Sequence, residues 1–396
     1  MSQTPSRTQT TFAPPVMEAR RWVEGIEFPN DRPLLNVSQA APIDPPPAPM
    51  RAAMAHMLED PFVHLYGPVL GLPELRSALA EQMSAHYAGT VTSDQICITA
   101  GCNQAFAAAI TAMCSEGNEV ILPTPWYFNH KMWLDMSGIT SIALPTNADL
   151  LPDVDAARAL ITPRTKAIAL VSPNNPGGVE YPADLIQNMF DMCRAEGIKL
   201  MLDETYRDFD SRSGAPHALF LDKNWQDTLV HLYSFSKAYR LTGHRVGALV
   251  TSPDLLAEVE KFQDTVAICA PQLGQHAALW GIENLADWVA GERGEILRRR
   301  TAIMEGMSAL TAKGWRLMGC GAYFAYLEHP FSESSASLAP KLVRVAGVLL
   351  LPGTMFHPEG SVEGAQQFRV AFANIDTAQI ADLFARLSQL NWPMRT

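Results

Sequence analysis

A mainly parallel α/β sheet in a large domain, joined to a smaller α+β domain, is the fold class the sequence predicts. Three observations carry that expectation. Between about residues 90 and 250, short apolar runs alternate with helical stretches, as βαβ units do. The run 166–171 is apolar almost throughout, the pattern of a parallel strand covered on both faces. Polar residues gather just past the ends of these runs, where open α/β sheets bind ligands.

Each element has its own signal. Residues 1–15 are rich in Ser, Thr, Gln and Pro and predict a flexible arm. Residues 16–50 are proline-bearing and predict an irregular segment laid across another surface. A short helix is expected over 50–59. A second is expected over 73–86, with Pro73 in its first turn. Strands are expected at 95–99, 119–123, 166–171, 198–202 and 228–233, with helices over 105–114 and 182–196 between them. Ser252-Pro253 reads as an N-cap followed by a first-turn proline. One long helix is expected over 285–311, linking two domains. Beyond it come strands at 322–327, 347–351 and 367–372 and a helix over 337–345. A last helix runs over 376–390, where Asp376 and Gln379 form a capping box. These elements divide the chain into the arm 1–15, a large domain 49–299, and a small domain made of 16–48 and 300–396.

Composition narrows the function classes. The 396 residues allow a sizeable core: 47% are hydrophobic and 18% charged. The formal net charge is -11, and Lys and Arg are dispersed rather than striped, which argues against nucleic-acid binding. No apolar run approaches the ~20 residues that cross a bilayer, and no apolar signal core stands at the N-terminus. The cysteines (Cys97, Cys102, Cys114, Cys193, Cys269 and Cys320) form no C-x-x-C pair and no zinc spacing. A reducing, cytoplasmic setting without a metal centre is expected.

Four strand ends carry chemistry. After 228–233 comes Ser234-Phe235-Ser236-Lys237, with Arg245 eight residues beyond the lysine. A lysine there could form a Schiff base with a carbonyl cofactor. Ser234, Ser236 and Arg245 could hold a phosphate. After 95–99 comes Ala100-Gly101-Cys102-Asn103, a small-residue turn into a helix N-terminus, where free N–H groups favour an anion. After 166–171 the rigid turn Ser172-Pro173-Asn174-Asn175-Pro176 offers the fixed amide of Asn175. After 198–202 come Asp203-Glu204-Thr205-Tyr206. The aromatic run Trp126-Tyr127-Phe128 cannot face one core entirely, so at least one ring should face a cleft. Taken singly, each stretch has a plainer reading: a loop lysine, an ordinary helix start, an aromatic pinning a loop. Taken together they suit pyridoxal 5'-phosphate. Lys237 meets its aldehyde. Gly101, Cys102, Asn103, Ser234, Ser236 and Arg245 meet its phosphate. Asp203 meets its ring nitrogen, Asn175 and Tyr206 its phenolic oxygen, and Tyr127 its flat face.

With these stretches in this order, and with Tyr66-Gly67-Pro68 and Phe368-Arg369-Val370 flanking them, the chain resembles the class I/II aminotransferases of fold type I, the aspartate-aminotransferase-like superfamily. The resemblance implies the fold type I pyridoxal-phosphate transferase architecture and transfer of an amino group from an L-amino acid to a 2-oxo acid. It implies that Tyr66 reaches the cofactor phosphate of a neighbouring subunit, hence a homodimer with shared active sites. It implies that Arg369 binds the substrate α-carboxylate.

Two departures touch the substrate side. The Asn-Pro turn continues Gly177-Gly178, where a threonine often stands first. The segment Ser38-Gln39-Ala40-Ala41 lacks a glycine that relatives often carry. Trp126 and His130 either line the pocket or only pack their loop. A C–S β-lyase on the same fold begins with the same α-proton removal and is the alternative within enzymes. A non-catalytic ligand-sensing domain is a third reading, against which stand the missing winged-helix segment and basic patch.

Overall fold

The computed structural model describes residues 4–395. Thirteen strands run in chain order: β1 Leu35–Asn36, β2 Ile96–Thr99, β3 Glu119–Thr124, β4 Thr140–Pro145, β5 Thr165–Val171, β6 Lys199–Asp203, β7 Leu229–Ser234, β8 Gly247–Val250, β9 Arg316–Gly321, β10 Phe324–Glu328, β11 Val348–Leu349, β12 Leu351–Pro352 and β13 Gln367–Ala371. Seven of them form the central sheet, ordered β2-β8-β7-β6-β5-β3-β4. Its pairs are parallel except where β8 meets β7 and β2. The mainly parallel α/β sheet is therefore as predicted.

Both faces of this sheet are covered, and the pleat alternates between them. Leu200 and Leu202 of β6 join one apolar cluster, with Leu229 and Tyr233 of β7. Met201, Val230 and Leu232 join the cluster on the other face. Each fully buried Leu or Val of this kind contributes about 1.5–3 kcal/mol of transfer free energy. This is why these runs read as continuously apolar.

A second, antiparallel sheet is ordered β12-β13-β10-β9, and a third cluster packs Leu35 and Val37 with Ile303, Phe324, Val370 and Leu383. β1 pairs in parallel with β11, so the N-terminal segment joins the C-terminal half. The long helix expected over 285–311 is Ala286–Thr311. Ser252 caps Pro253–Val266 by accepting from Leu255 N, and Asp376 and Gln379 form the capping box of Thr377–Ser388.

Several expectations need correction. Residues 16–50 are not irregular throughout: Pro15–Arg21 is a helix, and β1 follows. In the expected arm, Arg7–Thr10 forms one helical turn, capped by Ser6, and Arg7 pairs with Glu116 at 2.5 Å. The single strand expected at 347–351 is two, because β11 joins β1 while β12 joins β13. Strands β4 and β9 and the helices Phe128–Ser137 and Gln272–Asn284 had no clear local signal. The helix expected over 105–114 begins at Cys102, three residues earlier. Among the described residues, no helix is long and apolar enough to cross a membrane.

Candidate active site

A cavity of about 420 Å³ opens at the carboxyl ends of the parallel strands. That volume suits a cofactor or small substrate. Cys102, Asn103, Tyr127, Asn175, Asp203, Tyr206, Ser234, Ser236, Lys237, Arg245 and Arg369 all line it. So the structure brings together eleven of the thirteen residues predicted for the site. Gly101 stands immediately behind this lining. Tyr66 does not line the cavity; it is 78% exposed on the surface of the chain.

Lys237 is not on a loop, as a strand-end lysine would suggest. It sits in the one-turn helix Phe235–Ala238, whose N-cap Ser234 accepts from Ser236 N at 3.2 Å. Its Nζ donates to the carbonyl of Ala40 at 2.5 Å and stands 5.9 Å from the Tyr206 ring centre. Burial, then the nearby Arg245 and Arg369 guanidinium groups, push the amine down to about 8. A neutral lysine is therefore accessible near ordinary pH.

The anion cradle depends on a glycine. Gly101, at φ +85°, precedes the helix Cys102–Met113, and a Cβ added to it would stand 2.1 Å from Arg245 Nη2. Only a residue without a side chain lets that guanidinium reach the helix N-terminus, where the free N–H groups and the helix dipole already favour an anion. Arg245 itself adopts a left-handed backbone, φ 49°, and donates to Thr242 O at 3.1 Å. Its Nη1 lies 3.5 Å from Ser236 Oγ. Cys102 contributes small size and a backbone N–H. Burial, then the Asp203 charge, push its thiol well up, so the thiol is inert.

The pleat of β6 separates the two adjacent acids. Asp203 faces the cavity. Burial alone would raise its carboxyl, but His130 and Thr205 hold it below the usual range. The Asp203 Oδ2–His130 Nε2 contact is 3.2 Å, and Thr205 N donates to Oδ1 at 3.0 Å. His130 is fixed in turn by stacking on Phe106, with ring centres 3.8 Å apart. Glu204 points to the opposite face, where His231 Nε2 lies at 2.8 Å, His217 Nε2 at 3.3 Å, and the Tyr87 hydroxyl donates to it. It takes no part in the cavity.

Of the three aromatics, Trp126 packs in the core. Tyr127 lines the cavity and donates its hydroxyl to Asn103 Oδ1 at 3.2 Å, and Phe128 opens the following helix at the cavity wall. Arg369, on β13, is 2% exposed. It donates to Asn175 Oδ1 at 3.0 Å and to the Ser38 carbonyl, while its Nε has no partner. Burial pushes its guanidinium down to about 10. Asn175 thus bridges the central sheet to the second one. The functional residues that sequence patterns missed are Thr205, Thr242, Asn129, Phe128 and the strap Gln39–Ala41. His130, left open between lining and packing, packs its loop and grips Asp203. Thr205, Thr242 and Asn129 meet site residues two or three positions away, whereas the strap meets Lys237, Arg369 and Asn374 from far away in sequence.

The residues present fit pyridoxal 5'-phosphate. The cradle that a Cβ would fill suits its phosphate, the buried ionised Asp203 suits a protonated ring nitrogen, and the lowered amine of Lys237 suits its aldehyde. A sheet of this order with a lysine at the end of β7 defines fold type I of the pyridoxal-phosphate enzymes. An aspartate aminotransferase of Thermus thermophilus, solved with maleate, superposes with a TM-score of 0.88 over 98% of this chain and 100% of that one, at 23% identity. An aromatic aminotransferase of Arabidopsis thaliana is 29% identical over 354 residues, 86% of each chain. An arginine–pyruvate transaminase of Pseudomonas aeruginosa is 29% identical over 342 residues, covering 83% of this chain and 86% of that one. The model of the family "Aminotransferase class I and II" matches residues 33–387. The chain belongs to the class I and II aminotransferases and is a pyridoxal 5'-phosphate-dependent transaminase.

Proposed function

We propose that the cavity at the ends of β2, β5, β6 and β7 performs both halves of transamination with Lys237 as its proton-moving base. The observation that carries this is the convergence of Lys237, Asp203, Arg245 and Arg369 on one cavity. Bound pyridoxal 5'-phosphate supplies an aldehyde that accepts the amino group and a ring that takes up the electrons released at the substrate α-carbon. The chain's own residues do the rest. The N–H groups that open the helix after Gly101, with Asn103, Ser234, Ser236 and Arg245, hold the phosphate. Asp203, kept ionised and oriented by His130, holds a proton on the ring nitrogen. Asn175 and Tyr206 donate towards the phenolic oxygen, and Tyr127 packs against the ring. Arg369, already tied to Asn175, receives the substrate carboxylate in a bidentate pair. Lys237 Nζ, brought within reach of its neutral form by burial among cations, takes the α-proton and returns it.

Exposed Tyr66 supports a homodimer in which each chain completes its partner's phosphate site. The free cysteines support a cytoplasmic setting. The pairing of β1 with β11 supports assigning 16–48 and 300–396 to one domain and 49–299 to the other. The relatives' names differ in amino donor, so no donor is carried over from them. The test is an assay of 2-oxo-acid-dependent transamination by wild type and Lys237→Ala. Turnover that needs an oxo acid and disappears in the variant is expected. Release of pyruvate and ammonia from cysteine conjugates without an oxo acid would instead favour the β-lyase.

A further inference from the structure

Asn129 lines the cavity but has no work in holding the cofactor or the substrate. It lies in the first turn of the helix Phe128–Ser137. Its Nδ2 donates to the Tyr127 hydroxyl at 3.1 Å, and that hydroxyl donates to Asn103 Oδ1 at 3.2 Å. Asn103 stands in the first turn of another helix, Cys102–Met113, whose N-terminus forms the anion cradle. Three neutral side chains thus make one hydrogen-bond chain, from Asn129 through Tyr127 to Asn103, that ends at the cradle.

That chain has a direction. A phenol carries a single proton. With Asn129 donating to the Tyr127 oxygen, that proton goes to Asn103, which meets it with Oδ1. The Asn103 Nδ2, a donor, is then turned away from Tyr127. Asn103 has two open sides. One is the cavity, with Arg245, Ser234 and Ser236. The other is a pocket of about 200 Å³ walled by Phe106, Met132, Trp133 and Met136, a largely apolar surface that offers an amide N–H little. In the reverse direction Asn103 would turn its oxygen to the cradle, acceptor against anion. The Tyr127 hydroxyl keeps its proton: burial, then the Asp203 charge, push it up from the usual phenol range.

We propose that Asn129 is a positioning residue for the cofactor phosphate: through the Tyr127 hydroxyl it fixes the Asn103 amide with its NH2 group turned to the phosphate. This rests on the reading of Asn103 as a phosphate ligand. The contribution is orientation rather than charge. An amide free to flip turns its oxygen to the dianion part of the time, and the chain removes that orientation. What remains is a charge-assisted hydrogen bond, polarised further by the two donors behind it. Tyr127 then has two tasks. Its ring packs against the cofactor ring, and its hydroxyl aligns a neighbour of the phosphate, which keeps ring and phosphate in register.

The test titrates cofactor-free protein with pyridoxal 5'-phosphate and with pyridoxal, which lacks the phosphate, and follows binding by absorbance. In Asn129→Leu the dissociation constant for pyridoxal 5'-phosphate should rise about fivefold or more, while that for pyridoxal changes by less than about twofold. Tyr127→Phe keeps a ring and should raise the ratio of the two constants by a similar factor. The double variant should show no higher ratio than Tyr127→Phe alone, because Asn129 acts only through the hydroxyl. Equal weakening of both ligands in Asn129→Leu, which loss of loop packing alone would give, overturns the proposal. So do increases in the ratio that add in the double variant. Asn103→Ala separates the proposal from its premise. A wild-type ratio there removes Asn103 from the phosphate site, and the proposal with it. A raised ratio there, with a wild-type ratio in Asn129→Leu, overturns the proposal and leaves the site reading in place.

Discussion

Lys237 and the two acids of β6 show how far single residues depend on surroundings. A free lysine titrates near ~10.4, whereas burial and two guanidinium groups bring Lys237 down to about 8. The neutral fraction should rise as pH passes through about 8. Trinitrobenzenesulfonate labelling of Lys237 in cofactor-free protein, mapped by peptide, is expected to be half-maximal there; a midpoint near ~10.4 would contradict the burial argument. The sign for stability follows. Between about 8 and ~10.4 the unfolded chain binds the extra proton, so this lysine's unfavourable contribution fades as pH rises through that window. The adjacent acids divide by function. Asp203→Ala should depress transamination far more than stability. Glu204→Ala, which leaves Tyr87, His217 and His231 without their shared acceptor, should cost about 3 kcal/mol or more in denaturant unfolding. Equal effects of the two on stability would contradict the division that the pleat imposes. The sequence showed two acids at a strand end; only the register of β6 tells which one reaches the cavity.

At the scale of elements, the main departure from the expected pattern has a steric cause. Gly177 and Gly178 close the turn that carries Asn175, and they touch Gly319 and Gly321 of β9. A Cβ on Gly319 would stand 2.3 Å from Gly177 O, and one on Gly321 2.3 Å from Gly178 O. Backbone therefore meets backbone where the two sheets join, and a side chain at Gly177 itself would crowd Asn174 Oδ1 at 2.8 Å and Leu150 Cδ1 at 2.9 Å. Gly319→Ala is expected to destabilise the fold by about 1–3 kcal/mol, with a weaker grip on substrate because the turn positions Asn175 against Arg369. Unfolding midpoints and KM check both, and wild-type values would contradict the contact. The same elements show what local sequence conveys. β5, β6 and β7 were legible because both faces are covered, which leaves unbroken apolar runs. The caps at Ser252 and Asp376 were legible because their chemistry is local. β9 was not: it carries Gly319, Cys320 and Gly321, and its strand character comes from pairing with β10. β11 and β12 merged into one expected strand because a continuous apolar run does not reveal a change of partner.

For the whole molecule, the residues of the cofactor site were readable because their order along the chain is constrained by one sheet topology. The strap Gln39–Ala41 that also lines the cavity was not, because its position is set by long-range contacts to Lys237, Arg369 and Asn374. Tyr66, exposed and outside the cavity, belongs to the proposed homodimer, in which it reaches the partner's phosphate site. Light scattering of the holoenzyme is expected to give twice the 43.4 kDa chain mass, and a monomeric, fully active holoenzyme would contradict the shared site. The central claim is that Lys237 is the residue through which this molecule holds its cofactor and moves the proton. Its most direct test is borohydride reduction of the holoenzyme, followed by digestion and mapping of the pyridoxyl-bearing peptide. The label is expected on Lys237 alone, and it should be lost together with transamination in Lys237→Ala. A label on another lysine, or undiminished transamination by the variant, would contradict it.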